Sequence, residues 1–196
     1  MPAKLFGPPP FRPNVNVVAV VVGLLALLIG LAIALRYDAA SPAAPVPATA
    51  LFAHTFNDAD GQPQPMNQWQ GTWLVVNFWA TWCAPCVEEM PDLQRVHVEY
   101  AGRGVAVVGL AIDNPAAVKR FRDELKLQLP LLVAGAAGTE LARQLGNLSG
   151  ALPYTVLIDQ SGSIVRSKLG QLHAAELRSW LKASIQRTGA MPFSKG

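Results

Sequence analysis

The sequence predicts an α/β fold, with a central mixed sheet flanked by helices and preceded by one transmembrane helix. Near the N-terminus, the 19 residues from Val17 to Leu35 comprise only Val, Ala, Leu, Ile and Gly. Beyond them, apolar runs of strand length alternate with helical patterns, which is typical of a sheet sandwiched between helices. Gln160-Ser161-Gly162 then separates two short strand patterns, which adds an antiparallel hairpin.

The N-terminal apolar run is long enough to cross a membrane. As a helix, its 19 residues would measure about 28 Å, close to the thickness of a bilayer core. A buried soluble helix would carry polar residues on one face, and this run has none. A cleaved signal peptide has an apolar region of only about 7–15 residues, which is shorter than this run. We therefore expect an uncleaved anchor at 15–36. Lys4 and Arg12 precede the run while only Arg36 closely follows it, so 1–14 would be a cytoplasmic tail.

The remaining chain divides into a linker, one soluble domain and a tail. Residues 37–50 are rich in Pro and Ala and predict an extended linker. We expect the domain at 51–188, monomeric and on the side of the membrane opposite the cytoplasmic tail, and a C-terminal tail at 189–196. The whole chain carries a formal charge of +3, but the part after the anchor is nearly neutral. Such a domain lacks the basic surface with which proteins neutralise nucleic-acid phosphates.

The elements of the soluble domain follow from periodicity and turn residues. Alternating apolar and polar residues predict a first strand over Leu51–Phe56. Asn114 is a candidate N-cap, with Pro115 at the first helical position. The further predicted elements, in chain order, are a strand at Trp73–Ala80, a helix at Pro85–Ala101, a strand at Val105–Ile112, a helix at Pro115–Lys126, a strand at Leu131–Val133, a helix at Thr139–Leu145, strands at Tyr154–Ile158 and Ser163–Lys168, and a helix at His173–Gln186.

The two cysteines of the chain, Cys83 and Cys86, stand where a buried strand meets a helix. Unpaired backbone N–H groups and the helix dipole favour negative charge at a helix N-terminus. A thiolate there has a lowered pKa, and the thiolate is the nucleophile. Cys83 lies at the exposed end and Cys86 about one turn inside. We therefore expect Cys83 to attack a substrate disulfide and Cys86 to resolve the mixed disulfide.

Two structural roles for the cysteine pair are weaker alternatives. A disulfide that closes so small a ring removes little entropy from the unfolded chain, so it would stabilise the fold weakly. A zinc site would need two further ligands. The three histidines, His54, His97 and His173, are scattered without the spacing of such a site, and we expect His97 and His173 to be solvated helix residues.

Three motifs around the cysteines resemble the thioredoxin superfamily. Val76–Cys86 is similar to its active-site signature, Pro91 to its helix-kinking proline, and 152–155 to its cis-proline loop. The branch that the chain resembles, over about 51–187, is the TlpA/ResA-like group of membrane-anchored, extracytoplasmic thioredoxin-like proteins. The resemblance implies a thioredoxin-like fold with an N-terminal strand extension and a central insertion at 114–133. It also implies that the domain lies in the periplasm, outside the inner membrane.

The resemblance also implies roles for residues that would bind the substrate. Pro153 would form a cis peptide opposite the cysteines and leave the Leu152 backbone free to pair with a substrate strand. A proline that merely begins a strand is the alternative. Trp82 would offer an apolar contact, together with Ala84 and Pro85 between the cysteines.

Proton transfer is expected to use a different side chain from that in cytoplasmic thioredoxins. Those proteins carry a buried Asp where this chain has Asn77, which cannot accept a proton. The resemblance to the TlpA/ResA-like branch implies that a Glu three residues past the second cysteine contributes to proton transfer instead. In this chain that residue is Glu89. The spacing places Glu89 beside Cys86 on one helix face, where a half-buried carboxylate could take its proton. A solvated helix charge is the alternative. Trp79 would shield the thiolate or belong to the core.

These residues together predict a reductase of protein disulfides. Ala84-Pro85 lacks the His with which DsbA-type oxidants stabilise the reduced thiolate. The resemblance implies a membrane thiol transporter of the DsbD type as electron donor, and apocytochrome c or a metallocentre protein as client. No cofactor beyond the Cys83–Cys86 disulfide and no metal is expected. A thiol oxidase or isomerase, a Cu(I)-binding metallochaperone and a peroxide-reducing thiol protein are the alternatives.

Overall fold

The structure is a computed structural model that describes residues 19–29 and 46–187. The chain divides into two units, Met1–Ala44 and Pro45–Gly196. In the first unit, residues 19–29 form helix α1, whose large apolar side chains are exposed. Within the two described ranges, no helix combines the length and the apolar character needed to cross a membrane. The rest of the expected anchor, the cytoplasmic tail, most of the linker and the C-terminal tail lie outside the described residues.

The second unit is built on one eight-stranded mixed sheet. Its strands are β1 (Val46–Pro47), β2 (Thr55–Asp58), β3 (Pro63–Pro65), β4 (Trp73–Trp79), β5 (Val105–Ala111), β6 (Leu131–Val133), β7 (Tyr154–Ile158) and β8 (Ser163–Leu169). They lie in the order β1-β8-β7-β4-β5-β6-β2-β3. β5 pairs in parallel with both β4 and β6, and the other neighbouring strands pair antiparallel. This confirms the expected mixed sheet.

Helices cover both faces of the sheet and form two cores with it. The helices are α2 (Thr49–Phe52), α3 (Ala84–Tyr100), α4 (Pro115–Leu125), α5 (Ala137–Gln144) and α6 (Ala174–Arg187), with a 3-10 helix at Met66–Trp69. One core joins α3 and α6 and contains both cysteines. The other core joins α2 and α5. β4 is buried over its whole length because it lies centrally, between the two cores.

Most of the predicted elements are present. From β4 onward the order βαβαβαββα is confirmed, and β6 and β7 have the predicted bounds. The predicted cap of α4 is also present, since Asn114 Oδ1 accepts the backbone N–H of Ala117 at 2.9 Å. β3 was not predicted, because its two prolines lower strand propensity; they are tolerated because β3 is an edge strand.

The N-terminal border of the domain differs from the prediction. The predicted strand Leu51–Phe56 is helical through Phe52, and β2 begins at Thr55. The folded part also extends to Val46, inside the expected linker 37–50. Contacts with a distant segment explain this extension: β1 pairs with β8, and the N–H of the fully buried Ala48 donates to the Gly162 carbonyl at 2.8 Å.

The sheet brings three chain segments together at one edge. β4 and β5 run in parallel, with Trp79 opposite Ala111, so their carboxyl ends coincide. β7 runs antiparallel to β4, with Phe78 opposite Tyr154, so its amino end lies at the same edge. The segment with the cysteines, the segment after β5 and the proline loop before β7 therefore meet.

Candidate active site

Cys83 and Cys86 form a disulfide at the N-terminus of α3. Their sulfur atoms are 2.07 Å apart and their Cα atoms 5.2 Å apart. Cys83 is the N-cap residue of the helix, with extended backbone, and its carbonyl accepts the N–H of Val87 at 3.1 Å. Cys83 is 7% exposed and Cys86 is completely buried. Cys83 is therefore the residue of the pair that a molecule in solvent can approach.

The surface next to Cys83 is apolar. Trp82 is 70% exposed, and Ala84 and Pro85 are exposed as well. Leu152 is partly buried and packs against the core that contains both cysteines. Trp79 differs from these residues: it is fully buried, and its ring lies 4.9 Å from that of Phe121. Trp79 is therefore a core residue that a substrate does not reach.

The proline loop is held from two sides. The Leu152–Pro153 peptide is cis, as the resemblance implies. The Pro153 carbonyl accepts the N–H of Gly170 at 2.8 Å, which ties the loop to the end of β8. The hydroxyl of Tyr154 donates to the Leu145 carbonyl at 2.8 Å, at the end of α5. The loop is thereby fixed at the sheet edge where the disulfide lies.

Glu89 lies one turn past Cys86 on α3 and is completely buried, rather than half-buried as expected. Its Oε1 accepts from Asn77 Nδ2, and its Oε2 accepts from the backbone N–H of Leu172, both at 2.6 Å. Burial raises the pKa of Glu89 to about 7 and outweighs the lowering effect of the hydrogen bonds from Leu172 and Asn77. The carboxyl can therefore take up and release a proton near neutral pH.

Two partners in this network were not predicted. Asn77 Nδ2 also donates to Thr155 Oγ1 at 3.0 Å, and Thr155 is fully buried on β7. A small hydroxyl inside the apolar run of β7 was the available signal for Thr155. Leu172 contributes only its backbone N–H, which a side-chain pattern does not reveal.

A further set of hydrogen bonds fixes the loop that precedes Cys83. Asp113 Oδ2 accepts from the backbone N–H of Thr81 at 2.9 Å and from its hydroxyl at 2.6 Å. Burial acts to raise the pKa of Asp113, but the hydrogen bonds from Thr81 and Asn114 prevail and hold it below its ordinary value. The loop is thus tied to the start of α4. This role of Asp113 was not predicted. The available signal was its position directly after a buried strand, at the sheet edge where the cysteines lie.

Two of the three histidines, His54 and His173, lie beside other side chains. The rings of His54 and Phe56 stack with centroids 5.4 Å apart. His173 Nδ1 lies 3.5 Å from Asp92 Oδ2. In the part of the chain that the structure describes, no group of three or more His, Cys, Asp and Glu side chains is placed to hold a metal ion.

Known proteins with similar sequences and structures support the identification of this site as a redox site. Residues 44–167 match the model of the AhpC/TSA family. The thiol-disulfide oxidoreductase ResA of Bacillus thuringiensis is 32% identical over 126 residues, which are 64% of this chain and 70% of that protein. A thiol:disulfide interchange protein of the thioredoxin family from Chlorobium tepidum has a similar crystal structure. Its TM-score is 0.62 at 28% identity, over 73% of this chain and 98% of its own.

StoA from Bacillus subtilis shares the fold, with a TM-score of 0.54 at 23% identity over 65% of this chain and 95% of its own. The thioredoxin-like fold is therefore confirmed. The disulfide at the helix N-terminus and the related ResA proteins together identify a protein thiol–disulfide oxidoreductase. The chain belongs to the AhpC/TSA family, as a thioredoxin-like oxidoreductase that carries its disulfide between Cys83 and Cys86.

Proposed function

We propose that this oxidoreductase reduces protein disulfides, with Cys83 as the attacking thiol, Cys86 as the resolving thiol and Glu89 as the acceptor of the Cys86 proton. The observation that carries the proposal is the buried carboxyl of Glu89 on the helix face that also holds Cys86. A carboxyl whose pKa lies near 7 suits a group that must gain and lose a proton in each cycle.

The reaction follows from this arrangement. The Cys83 thiolate, stabilised by the N-terminus of α3, attacks a client disulfide and releases one client thiolate. The Cys86 thiol gives its proton to Glu89, and its sulfur then displaces the second client sulfur from Cys83. The products are the Cys83–Cys86 disulfide and a reduced client, so two electrons pass to the client.

The residues between the cysteines support the direction of electron flow. Ala84 and Pro85 are exposed and carry no charge. A positive charge between the cysteines would stabilise the reduced thiolate and make the protein an oxidant. Without such a charge, the oxidised form is the relatively favoured one, which is what a reductant requires.

Protein clients fit the exposed surface beside Cys83. Trp82 offers an apolar face, and a client segment that lies along the proline loop can pair with the backbone of Leu152. This assigns Trp82, Ala84, Pro85 and Leu152 to client binding and Pro153 to the shape of the loop.

The location of the domain forms part of the proposal. The uncharged run at 17–35 and the exposed apolar side chains of α1 support a single-pass anchor at 15–36 in the inner membrane. The domain would then lie in the periplasm, where glutathione does not supply electrons. A membrane thiol transporter of the DsbD type is the corresponding donor, and apocytochrome c or a metallocentre protein is the corresponding client.

The reduction potential of the Cys83–Cys86 pair tests the proposed direction. The soluble domain is equilibrated with thiol–disulfide buffers, and we expect a value well below about −150 mV, on the scale where DsbA lies near −120 mV. We also expect the domain to reduce insulin disulfides, with the Cys83→Ser/Cys86→Ser double variant as the inactive control. A potential above about −150 mV would indicate an oxidase. Tight Cu(I) binding without insulin reduction would indicate a metallochaperone.

A further inference from the structure

The loop that connects α5 to β7 displays an apolar side chain to which the reaction above gives no role. Leu148 in this loop is 85% exposed, more than any other large apolar side chain among the described residues. Five large apolar side chains are exposed in the described part of the second unit: Trp82, Val98, Leu125, Leu148 and Leu169. A single exposed leucine is ordinary, so its position must decide whether it has a function.

The five side chains are unevenly distributed over the domain. Trp82, Leu148 and Leu169 belong to segments at the sheet edge where the disulfide lies. Val98 and Leu125 lie near the C-terminal ends of α3 and α4. Both helices begin at the disulfide edge, so their C-terminal ends lie away from it. Exposed apolar surface is therefore concentrated around the reacting sulfur atoms.

The fold of the loop holds Leu148 in solvent. The buried side chain of Asn147 donates from Nδ2 to the Ala151 carbonyl at 2.8 Å and accepts the Ser149 hydroxyl on Oδ1 at 3.0 Å. Gly150, with a φ of +68°, donates its N–H to the Asn147 carbonyl at 3.0 Å. These hydrogen bonds close a tight turn, and Leu148 lies on its outside.

The same turn places Leu148 near the backbone expected to pair with a client. Leu152 lies four positions after Leu148, and the bond between Asn147 and Ala151 shortens the path between them. Four residues of extended chain span at most about 14 Å. A client strand paired with Leu152 advances about 3.3 Å per residue. A client side chain within about four positions of the residue opposite Leu152 can therefore contact Leu148.

We propose that Leu148 is a specificity residue that contacts a large apolar side chain of the client, a few positions from the client's reacting cysteine. This rests on the proposed role of Cys83 as the sulfur that bonds the client. Backbone pairing with Leu152 accepts any sequence, so a side-chain contact is needed to distinguish clients. Contact between two apolar side chains removes both from water and stabilises the complex, whereas a polar client side chain gains nothing there.

The experiment measures the rate constant for exchange between the reduced full-length protein and synthetic cyclic cystine peptides. One peptide has serine at every position around its cysteines, and the others carry a single leucine at successive positions on either side. We expect the best leucine peptide to react about fivefold faster than the serine peptide with the wild-type protein. Leu148→Ser should remove this preference and leave the rate with the serine peptide unchanged.

Two further variants separate a contact from a structural effect. Leu148→Met should keep the preference, because methionine is also large and apolar. Leu125→Ser is the matched control, an exposed leucine away from the disulfide, and it should behave as wild type.

The inference is wrong if the wild-type protein shows no leucine preference or if Leu148→Ser retains it. It is also wrong if Leu148→Ser slows both kinds of peptide equally, since the loop would then affect the reactivity of Cys83. The proposed function fails separately. A reduction potential in the range of an oxidase would reverse the electron flow but leave the leucine preference intact, because both directions pass through the same mixed disulfide.

Discussion

The two sides of the disulfide have opposite surroundings. Beside Cys83 the side chains are apolar yet exposed, with Trp82 as the largest. On the Cys86 side, Glu89 is polar yet completely buried one turn along α3, and the equally buried Asn77 donates hydrogen bonds to both Glu89 and Thr155. Folding alone would favour the reverse, since it buries apolar side chains and leaves polar ones in water. The outer side is thus suited to client capture and the inner side to proton transfer.

The largest expected effect comes from removing one sulfur at a time. Cys83→Ser should abolish reduction of protein disulfides, because the accessible nucleophile is lost. Cys86→Ser should also stop turnover, but it should accumulate clients linked to Cys83, since the buried thiol that displaces them is absent. Non-reducing electrophoresis of both variants, incubated with an oxidised client, measures the difference. Trapping on Cys86 in the Cys83→Ser variant would reverse the two roles.

The next effect tests the inner side through the rate. Glu89→Gln should slow exchange with a small disulfide at pH 7 by about 10²-fold, because an amide cannot accept the Cys86 proton. Glu88→Gln is the matched control, since Glu88 is the exposed neighbour on the same helix. Stopped-flow measurements of both variants give the rates. Equal rates for the two variants would remove Glu89 from the mechanism.

The same carboxyl should make stability depend on pH. The pKa of Glu89 is about 7 in the folded protein, against an ordinary 4.5. Its favourable contribution is therefore complete below pH 4.5 and lost as the pH rises through 7, which amounts to about 3 kcal/mol. Denaturant unfolding at pH 5 and pH 8 should show wild type losing more stability than Glu89→Gln. Parallel losses in wild type and variant would contradict the raised pKa.

The sequence was informative wherever one segment determines its own structure. The buried run Tyr154–Ile158 forms β7 with the predicted bounds, and Asn114 caps α4 as its type and position indicate. The position of Cys83 at a helix N-terminus also follows from local order, because a strand pattern leads directly into a helical one.

The pattern of residue types along the sequence did not predict contacts between distant segments. Leu51 and Phe52 were predicted to begin a strand, but they end α2, which directly follows the pairing of β1 with the distant β8. The depth of Glu89 likewise depends on the arrival of Leu172 from more than eighty residues away in the chain. Spacing predicted that Glu89 lies beside Cys86, and tertiary packing decided how completely water is excluded from it.

The smallest effect tests the outer side. Trp82→Ala should slow reduction of protein clients about three- to tenfold, since one exposed aromatic contact contributes about 1 kcal/mol. Exchange with a small disulfide should stay near the wild-type rate, because such a molecule needs only Cys83. Val98→Ala is the matched control, an exposed apolar residue near the other end of α3. An equal loss with both substrates would mean that Trp82 shapes the reactivity of Cys83, and the two sides of the disulfide would then not be separate in function.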